Sequence, residues 1–339
     1  MKIIVPMAGM GKRMRPHTLT VPKPLIPIAG KPIVQRLVEE ISLVANEKIE
    51  EIAFIIGDFG KEIEAKLIDI ATKLGAKGTI YYQNEALGTA HAIYCAEKSL
   101  NGNVIVAFAD TLFKADFKIT DEIEAGIWVQ KVEDPSAFGV VKIDENNFIS
   151  DFIEKPQKFV SDLAIIGIYY FKKAEILRTE LKKLIDNKVM VNGEYQLTDA
   201  LENMKNSGIK FTPNEIMEWM DCGNKDATVH TNQRTLEYLK DKKLIDNTAQ
   251  IVNSIIIPPC FIGKNVKIHD SIIGPHVSIE ENTNINKVII SNSIVQTNSS
   301  LANISLTNSM IGNYAVIADV TVETSVGDYT NITINQNKK

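Results

Sequence analysis

From Ile251 onward the chain carries a repeat that few folds can satisfy. Ile262-Gly263-x-x-Val266-x-Ile268, Ile273-Gly274-x-x-Val277-x-Ile279-x-x-x-Thr283-x-Ile285 and Ile311-Gly312-x-x-Ala315-x-Ile317 share one template, and Ile304, Met310, Val316 and Val322 keep the same six-residue period. One aliphatic per six residues is the hexapeptide signature of a parallel β-helix. Each coil of such a helix turns three flat faces, and the recurring aliphatic points inward to stack on the coil above. That is how so Asn- and Ser-rich a stretch buries a core. A sandwich of short strands would show a period of two and would not keep returning at six.

The preceding two thirds read differently. From Met1 to about Lys210 short β-branched runs alternate with longer amphipathic stretches, which predicts a mostly parallel α/β sheet with helices packed on it. The predicted strands are Ile3–Val5, Ile52–Ile56, Ile80–Tyr82, Val104–Ala109, Ile127–Val132 and Ile165–Phe171. Over Pro32–Asn46, Ile33, Leu37, Ile41 and Val44 recur at spacings of three and four, so one helix face is apolar. Lys225–Asp246 carries Val229, Leu236, Leu239 and Leu244 among charges and reads as a connecting helix. Two domains are expected, 1–246 with that helix and 247–339 as the coil.

Several function classes are disfavoured at this stage. With 37 basic and 42 acidic residues the net charge is −5, and no Lys/Arg cluster forms the basic face of a nucleic-acid binder. No apolar run approaches the roughly 18 residues of a membrane span, and Ile3–Val5 is too short for an export signal. Cys95, Cys222 and Cys260 make no CxxC pair, and His17, His91, His230, His269 and His276 have no metal spacing. Packing or solvated roles are expected for the histidines, and a reducing cytoplasm for the chain.

The first strand runs into Ala8-Gly9-Met10-Gly11-Lys12-Arg13-Met14-Arg15-Pro16. A glycine-bearing basic turn at the end of a buried strand can wrap a phosphate with its backbone N–H groups, and Arg adds a planar donor fork. Lys12 is followed by Arg13, so this is no Walker A loop. Met14 stands at the third glycine position, so it is not GxGxxG either. Alone, the segment reads as a tight turn with exposed basic residues.

The next segment, Pro22-Lys23-Pro24-Leu25-Ile26-Pro27-Ile28-Ala29-Gly30-Lys31-Pro32, decides between these. Together the two resemble the signature of the sugar-1-phosphate nucleotidyltransferases, G-x-G-T-R-L-x-P-L-T followed by K-P-L-x-x-x-x-x-K-P. The resemblance continues in order through Gln83 with Leu87-Gly88-Thr89-Ala90, Phe108-Ala109-Asp110, Phe138-Gly139-Val140-Val141, Glu154-Lys155-Pro156, Gly193-Glu194-Tyr195-Gln196-Leu197-Thr198-Asp199 and Trp219-Met220-Asp221-Cys222-Gly223. It covers about residues 1–225, and the tail is similar to the left-handed β-helix of the family's longer members. Lys12, Met14, Ala109 and Asn224 depart from the usual residues, and none of these removes a charged group that the chemistry needs.

The resemblance implies transfer of a nucleotidyl group from a nucleoside triphosphate to a sugar-1-phosphate, with release of pyrophosphate. It assigns Ala8, Gly9, Gly11, Arg13 and Lys23 to the triphosphate and Gln83, Gly88 and Thr89 to the nucleotide's base side. Gly139, Glu154 and Lys155 are assigned to the sugar phosphate, with Arg13, Lys23, Asp110 and Lys155 as the catalytic set. Asp110 ends an apolar strand where ligands gather in open α/β sheets, and with Asp221 it would hold Mg²⁺ beside phosphate oxygens and waters. Singly, each aspartate reads as a cap or turn residue rather than a ligand, and only its family-matched position reverses that. Gln83 offers both an amide donor and an acceptor, which match the O4 and N3–H edge of uracil or thymine. The narrow preference is dTTP with glucose-1-phosphate. UTP with glucose- or N-acetylglucosamine-1-phosphate, a mannose-1-phosphate guanylyltransferase and a non-catalytic regulatory subunit are the alternatives. A bifunctional nucleotidyl/acyltransferase would need acyl-coenzyme A binding by the tail, for which no extended donor segment follows. The tail is therefore expected to assemble a homo-oligomer.

Overall fold

The computed structural model describes residues 1–319 and 325–333. Val322, which the repeat reading included, lies outside the described residues. The chain forms two compact units, Met1–Gly9 with Leu37–Trp219, and Met10–Arg36 with Met220–Lys339.

In the first unit nine strands make one mixed sheet. Lys2–Pro6 lies at its centre, parallel to both Glu51–Ile56 and Val104–Ala107, and Lys77–Tyr82 adds a further parallel strand at one edge. Ile3, Ile4, Val5 and all of Val104–Ala107 are fully buried, because a central parallel strand is covered on both faces and every side chain must be apolar. Beyond Val104–Ala107 the direction reverses. Leu163–Phe171 runs antiparallel to that strand and to Ala125–Lys131, and Phe211–Glu215 pairs with Ala125–Lys131 in parallel.

A hairpin of Gly139–Ile143 and Ile149–Glu154 completes the sheet at the other edge. The sequence reading omitted it because Ile149–Glu154 is largely half-exposed and carries no continuous apolar run. Val104–Ala109 was expected to run two residues further than it does, but the Phe108 N–H turns to the Gly167 carbonyl (3.0 Å) and the ladder stops at Ala107. The first helix occupies Ile33–Val44, inside the predicted range, and its residues Leu37, Val38, Ile41 and Val44 are buried.

The second unit holds the coil. Ile251, Ile268, Ile285, Leu301, Ile317 and Ile332 stand in one column of parallel pairings, so the coil advances by 17, 17, 16, 16 and 15 residues. Three hexapeptides would give about 18. A second column, Ile262, Ile279, Val295, Ile311 and Val326, is buried throughout. The shortfall falls where successive inward residues are five apart instead of six, as from Ile268 to Ile273, Ile285 to Ile290, Ile290 to Val295, Leu301 to Leu306 and Leu306 to Ile311. At these corners Asp270, Lys287, Asn292, Asn303 and Asn308 take φ between 41° and 53°, while Asn265, Asn282 and Asn298 take φ of 55° to 59° at six-residue corners. Asn tolerates this left-handed conformation better than most residues. The corner side chains also join successive rungs, with Asn265 Nδ2 donating to Asn282 Oδ1 (3.1 Å) and Asn292 Nδ2 to Asn308 Oδ1 (2.6 Å). The Asn content of the tail is thus a record of its corners.

The connecting helix spans Lys225–Leu239, capped by Asn224 Oδ1 on the Ala227 N–H (2.9 Å). It does not extend to Asp246: Ile245 already bridges to Ile262 and the Asp246 N–H donates to the Ile262 carbonyl (2.9 Å), so this segment has joined the first rung. Among the described residues no helix is long and apolar enough to cross a membrane.

Candidate active site

The second unit contains the glycine-bearing turn. Gly11 sits at φ +82°, a conformation that L side chains rarely adopt, and precedes a single 3-10 turn over Lys12–Met14. Thr18 Oγ1 donates to the Gly11 carbonyl (2.8 Å) and fixes the turn from outside. A Cβ on Gly11 would lie 2.8 Å from Lys23 Cβ, so the Lys23 stem crosses the place where any other residue would carry a side chain. Lys23 is 9% exposed, an unusual degree of burial for an ammonium group. Gly11 is therefore required both by its own dihedral and by Lys23. Gly9 and Ala8 belong to the first unit. A Cβ on Gly9 would meet nothing, and the Ala8 carbonyl lies 3.1 Å from the Cβ position of Gly57, beside a neighbouring strand's end.

Asp221 follows Met220 in the second unit. Its Oδ1 accepts from the Gly223 N–H (2.9 Å) and its carbonyl accepts from Thr231 Oγ1 (2.6 Å). A Cβ on Gly223 would stand 3.0 and 3.1 Å from the two Asp221 carboxylate oxygens and 3.4 Å from Arg13 Nη2. The Asp221 carboxylate and the Arg13 guanidinium thus converge over a glycine, and this unit gathers Gly11, Arg13, Lys23 and Asp221.

The first unit holds the remaining candidates in two groups. In one, Gln83 Nε2 donates to the Gly88 carbonyl (3.1 Å) and contacts His91 Nδ1 (3.2 Å). A carbonyl can only accept, so it is the NH₂ end of Gln83 that faces Gly88. Burial lowers the His91 pKa, against a smaller opposing effect of Glu85, which favours the neutral ring whose Nδ1 can accept. Gly88 has φ +100°, and a Cβ there would lie 2.5 Å from the Tyr195 carbonyl oxygen. The Leu87–Ala90 and Gly193–Leu197 segments therefore pack backbone to backbone: Tyr195 N–H donates to the Leu87 carbonyl (2.8 Å) and Ala90 N–H to that of Tyr195 (3.0 Å). The Thr89 hydroxyl accepts from the Leu197 N–H (3.0 Å), so it serves this packing directly.

In the other group, Gly139 and Glu154 are strand partners, and a Cβ on Gly139 would come 3.1 Å from Glu154 Oε2. Lys155 follows at φ +44°, its N–H donating to the Phe138 carbonyl (3.1 Å) and its Nζ 3.7 Å from Glu154 Oε1. Both side chains are exposed, at 65% and 46%. Phe138 packs edge-on against Trp219 at 4.9 Å between centroids, and Trp219 Nε1 donates to Thr111 Oγ1 (3.1 Å), one residue beyond Asp110. Asp110 stands half-buried in the turn after Val104–Ala107.

These features meet a family-wide pattern, since the model of the nucleotidyl transferase family matches residues 2–238. The chain belongs to that family. It is 30% identical over 309 residues to a glucose-1-phosphate thymidylyltransferase of Streptomyces antibioticus, covering 84% of each chain. It is 28% identical over 327 residues to the low-salt glycan biosynthesis nucleotidyltransferase Agl11 of Haloferax volcanii, covering 89% of each. The bifunctional protein GlmU of Methanocaldococcus jannaschii is 32% identical over 262 residues, which is 76% of this chain and 59% of GlmU. Among solved structures, a Bacillus anthracis protein described as a glucose-1-phosphate thymidylyltransferase, in complex with a sucrose, is similar with a TM-score of 0.58 and 26% identity over 68% of this chain and 93% of its own.

Two polar residues outside the sequence candidates contact the candidate residues or the segment that carries Lys23. His91, expected to pack or to be solvated, is half-buried and contacts the Gln83 amide eight residues before it. Asn232 is fully buried on the connecting helix and accepts from the Ala29 N–H (3.0 Å). A polar residue three positions after Val229 and four before Leu236 occupies the apolar face, which is the signal that singles it out. Asp110 and Asp221 fall in different compact units, and among the described residues no group of three or more His, Cys, Asp or Glu could hold a metal.

Proposed function

We propose that this nucleotidyl transferase joins a sugar-1-phosphate to the α-phosphate of a nucleoside triphosphate, giving a nucleotide sugar and pyrophosphate, with dTTP and glucose-1-phosphate as the preferred pair. The observation that carries the reading is the packing of buried Lys23 across Gly11, with Arg13 beside Asp221 in the same unit. Fixed cations at a glycine turn suit polyphosphate.

In this reading the Ala8–Gly11 amides, Arg13 and Lys23 hold the triphosphate. Lys155 meets the sugar phosphate, Glu154 the sugar hydroxyls, and Gly139 leaves room for the hexose. A phosphate oxygen of the sugar-1-phosphate attacks the α-phosphorus and forms the new O–P bond, while the bond to the bridging oxygen breaks and pyrophosphate leaves with the electron pair. The nucleophile is already anionic at neutral pH, so no general base is needed, and positioning and charge neutralisation carry the rate. Mg²⁺ takes one or two carboxylates together with phosphate oxygens and waters rather than an all-protein cage, and Asp110 and Asp221 are the proposed sources of those carboxylates. When bound, the ion would neutralise phosphate charge.

Base choice rests on Gln83. With its NH₂ end committed to Gly88, its Oε1 is the acceptor offered to a base, which suits the ring N–H of thymine, uracil or guanine and not the bare ring nitrogen of cytosine or adenine. The Streptomyces relative's name favours thymine. UTP is the second reading, because an acceptor at Gln83 treats thymine and uracil alike.

The coil is proposed to be left-handed and to assemble copies of the chain. Ile255, Ile272 and Ile289 are paired on successive rungs and point outward, at 60%, 36% and 56% exposure, as a stripe suited to a second copy. The domain division at about residue 246 and a cytoplasmic location, where nucleoside triphosphates are made, complete the reading.

The test is pyrophosphate release with Mg²⁺, crossing five nucleoside triphosphates with glucose-, N-acetylglucosamine- and mannose-1-phosphate. A dominant dTTP signal lost in Asp110→Asn and Asp221→Asn is expected. A dominant ATP or CTP signal would overturn the Gln83 assignment, and silence throughout would favour a non-catalytic subunit.

A further inference from the structure

The segment that carries Lys23 ends in a hairpin. Pro27–Ile28 pairs antiparallel with Lys31–Pro32, Ile33 N–H donates to the Ile26 carbonyl (3.0 Å), and Ile26 N–H donates back to the Lys23 carbonyl (3.0 Å). The tip is Ala29–Gly30, with φ +45° and +84°. Two successive left-handed residues suit a tight hairpin turn, but a non-glycine residue at the first position is held there only when its surroundings over-determine it.

Those surroundings come from the coil and the connecting helix. Asn232 Oδ1 accepts two hydrogen bonds at once, from the Ala29 N–H (3.0 Å) and from Ser278 Oγ on the rung strand Val277–Ile279 (2.7 Å). Both side chains are fully buried. Two residues along from Ser278, and so on the same side of the rung, Glu280 Oε1 accepts from the Gly30 N–H (3.2 Å) and is 7% exposed. Arg36 closes the turn from the other side, donating through Nε to the Ile28 carbonyl and through Nη2 to that of Ala29 (2.6 Å). The Phe261 ring fills the space that a Gly30 Cβ would need, 2.3 Å away.

Packing alone does not explain this arrangement. Asn232 Nδ2 is buried without a partner among the described residues, which is costly, so an apolar residue would serve packing better. What an apolar residue could not supply is the one oxygen shared between rung and hairpin. We propose that Ser278, Asn232 and Glu280 are positioning residues through which the coil sets the Lys23 segment for nucleotide binding. The proposal deepens the nucleotidyl transfer reading and rests on it for the role of Lys23.

Two measurements on the full chain test it. Hydrogen–deuterium exchange of peptides covering 22–36 reads the clamp without turnover, and steady-state kinetics with dTTP and glucose-1-phosphate read its effect. Asn232→Ala and Glu280→Ala are expected to speed exchange at the Ala29 and Gly30 amides at least roughly tenfold, with coil peptides unchanged, and to raise the KM for the triphosphate about tenfold with little change for the sugar phosphate. Glu280→Gln keeps a carbonyl acceptor and is expected to restore both. Ser278→Ala, the smallest change, supplies the same comparison if Asn232→Ala does not fold. Wild-type exchange in these variants, an equal rise in both KM values, or failure of Glu280→Gln to rescue would overturn the proposal. If the wild-type protein shows no turnover, the nucleotidyl transfer reading falls, and the exchange data alone decide whether the clamp exists.

Discussion

The side-chain amide of Gln83 donates to the Gly88 carbonyl oxygen across 3.1 Å, and this bond fixes which end of the amide is an acceptor. Gln83→Glu places a second acceptor against that carbonyl. It is expected to raise the KM for dTTP by about 10- to 100-fold, the effect of roughly 1–3 kcal/mol from a mispaired, half-buried polar group. Gln83→Met, which has no acceptor of comparable strength, is expected to narrow the gap between dTTP and dCTP. Kinetics with matched triphosphates check both, and an unchanged dTTP to dCTP ratio would remove Gln83 from base selection.

Lys23→Met keeps the stem that crosses Gly11 and removes only the charge. The expected result is a loss of about 10²–10³-fold in kcat, typical of deleting one preorganised charge partner, with a native circular dichroism spectrum. Lys155→Met should instead raise the KM for the sugar phosphate. Its ion pair with Glu154 is exposed, so the melting temperature should not move.

Gly88→Ala forces a Cβ to within 2.5 Å of the Tyr195 carbonyl oxygen at φ +100°. Backbone on both sides leaves no flexible side chain to yield. A loss of roughly 2–4 kcal/mol in urea unfolding is expected, larger than for Gly9→Ala, where a Cβ meets nothing.

Two buried groups give stability opposing pH dependences. Burial, with the Lys225 charge, pushes His17 down to about 4, so the unfolded chain binds the extra proton between about pH 6.5 and 4 and stability falls on acidification. Burial pushes Glu280 up to about 7 despite the Gly30 N–H and the Arg36 charge, so the folded chain holds the proton between about pH 4.5 and 7 and stability falls as pH rises. Glu280→Gln removes only the second effect. Its melting temperature relative to wild type should be higher at pH 7.5 than at pH 5, by an amount on the order of 1–3 kcal/mol in stability. Parallel melting profiles would show that Glu280 does not titrate in this window.

Ile272→Lys, at the middle of the outward isoleucine column, is expected to dissociate the assembly in sedimentation velocity while leaving the melt of the coil unchanged. An unaltered sedimentation coefficient would place any interface elsewhere.

Buried strands were legible because a central parallel strand must be apolar at every position, as Val104–Ala107 is. The hairpin over Gly139–Glu154 was not, since an edge strand with a solvated face has little to distinguish it from a loop. In the coil the aliphatic columns were readable, but the six-residue period overestimated each rung because some corners, as from Ile268 to Ile273 and Ile285 to Ile290, take five residues instead of six. The candidate glycines and charges stood out by type and Asn232 by its place on an apolar helix face, but what Asn232 and Glu280 bind did not. Their partners lie 203 and 250 residues away, and no local pattern encodes a contact of that span.

That span also orders events during synthesis. The segment 10–36 leaves the ribosome early, yet Asn232, Glu280 and Ser325, which bonds His17 Nε2 at 2.6 Å, follow the residues they bond by 203, 250 and 308 positions. The central strands can close long before then, but the Ala29–Gly30 hairpin tip keeps these bonds unmade until the rung that carries Ser278 and Glu280 exists. A nascent chain halted after the connecting helix would hold a finished sheet and a hairpin tip still lacking its contacts from the coil.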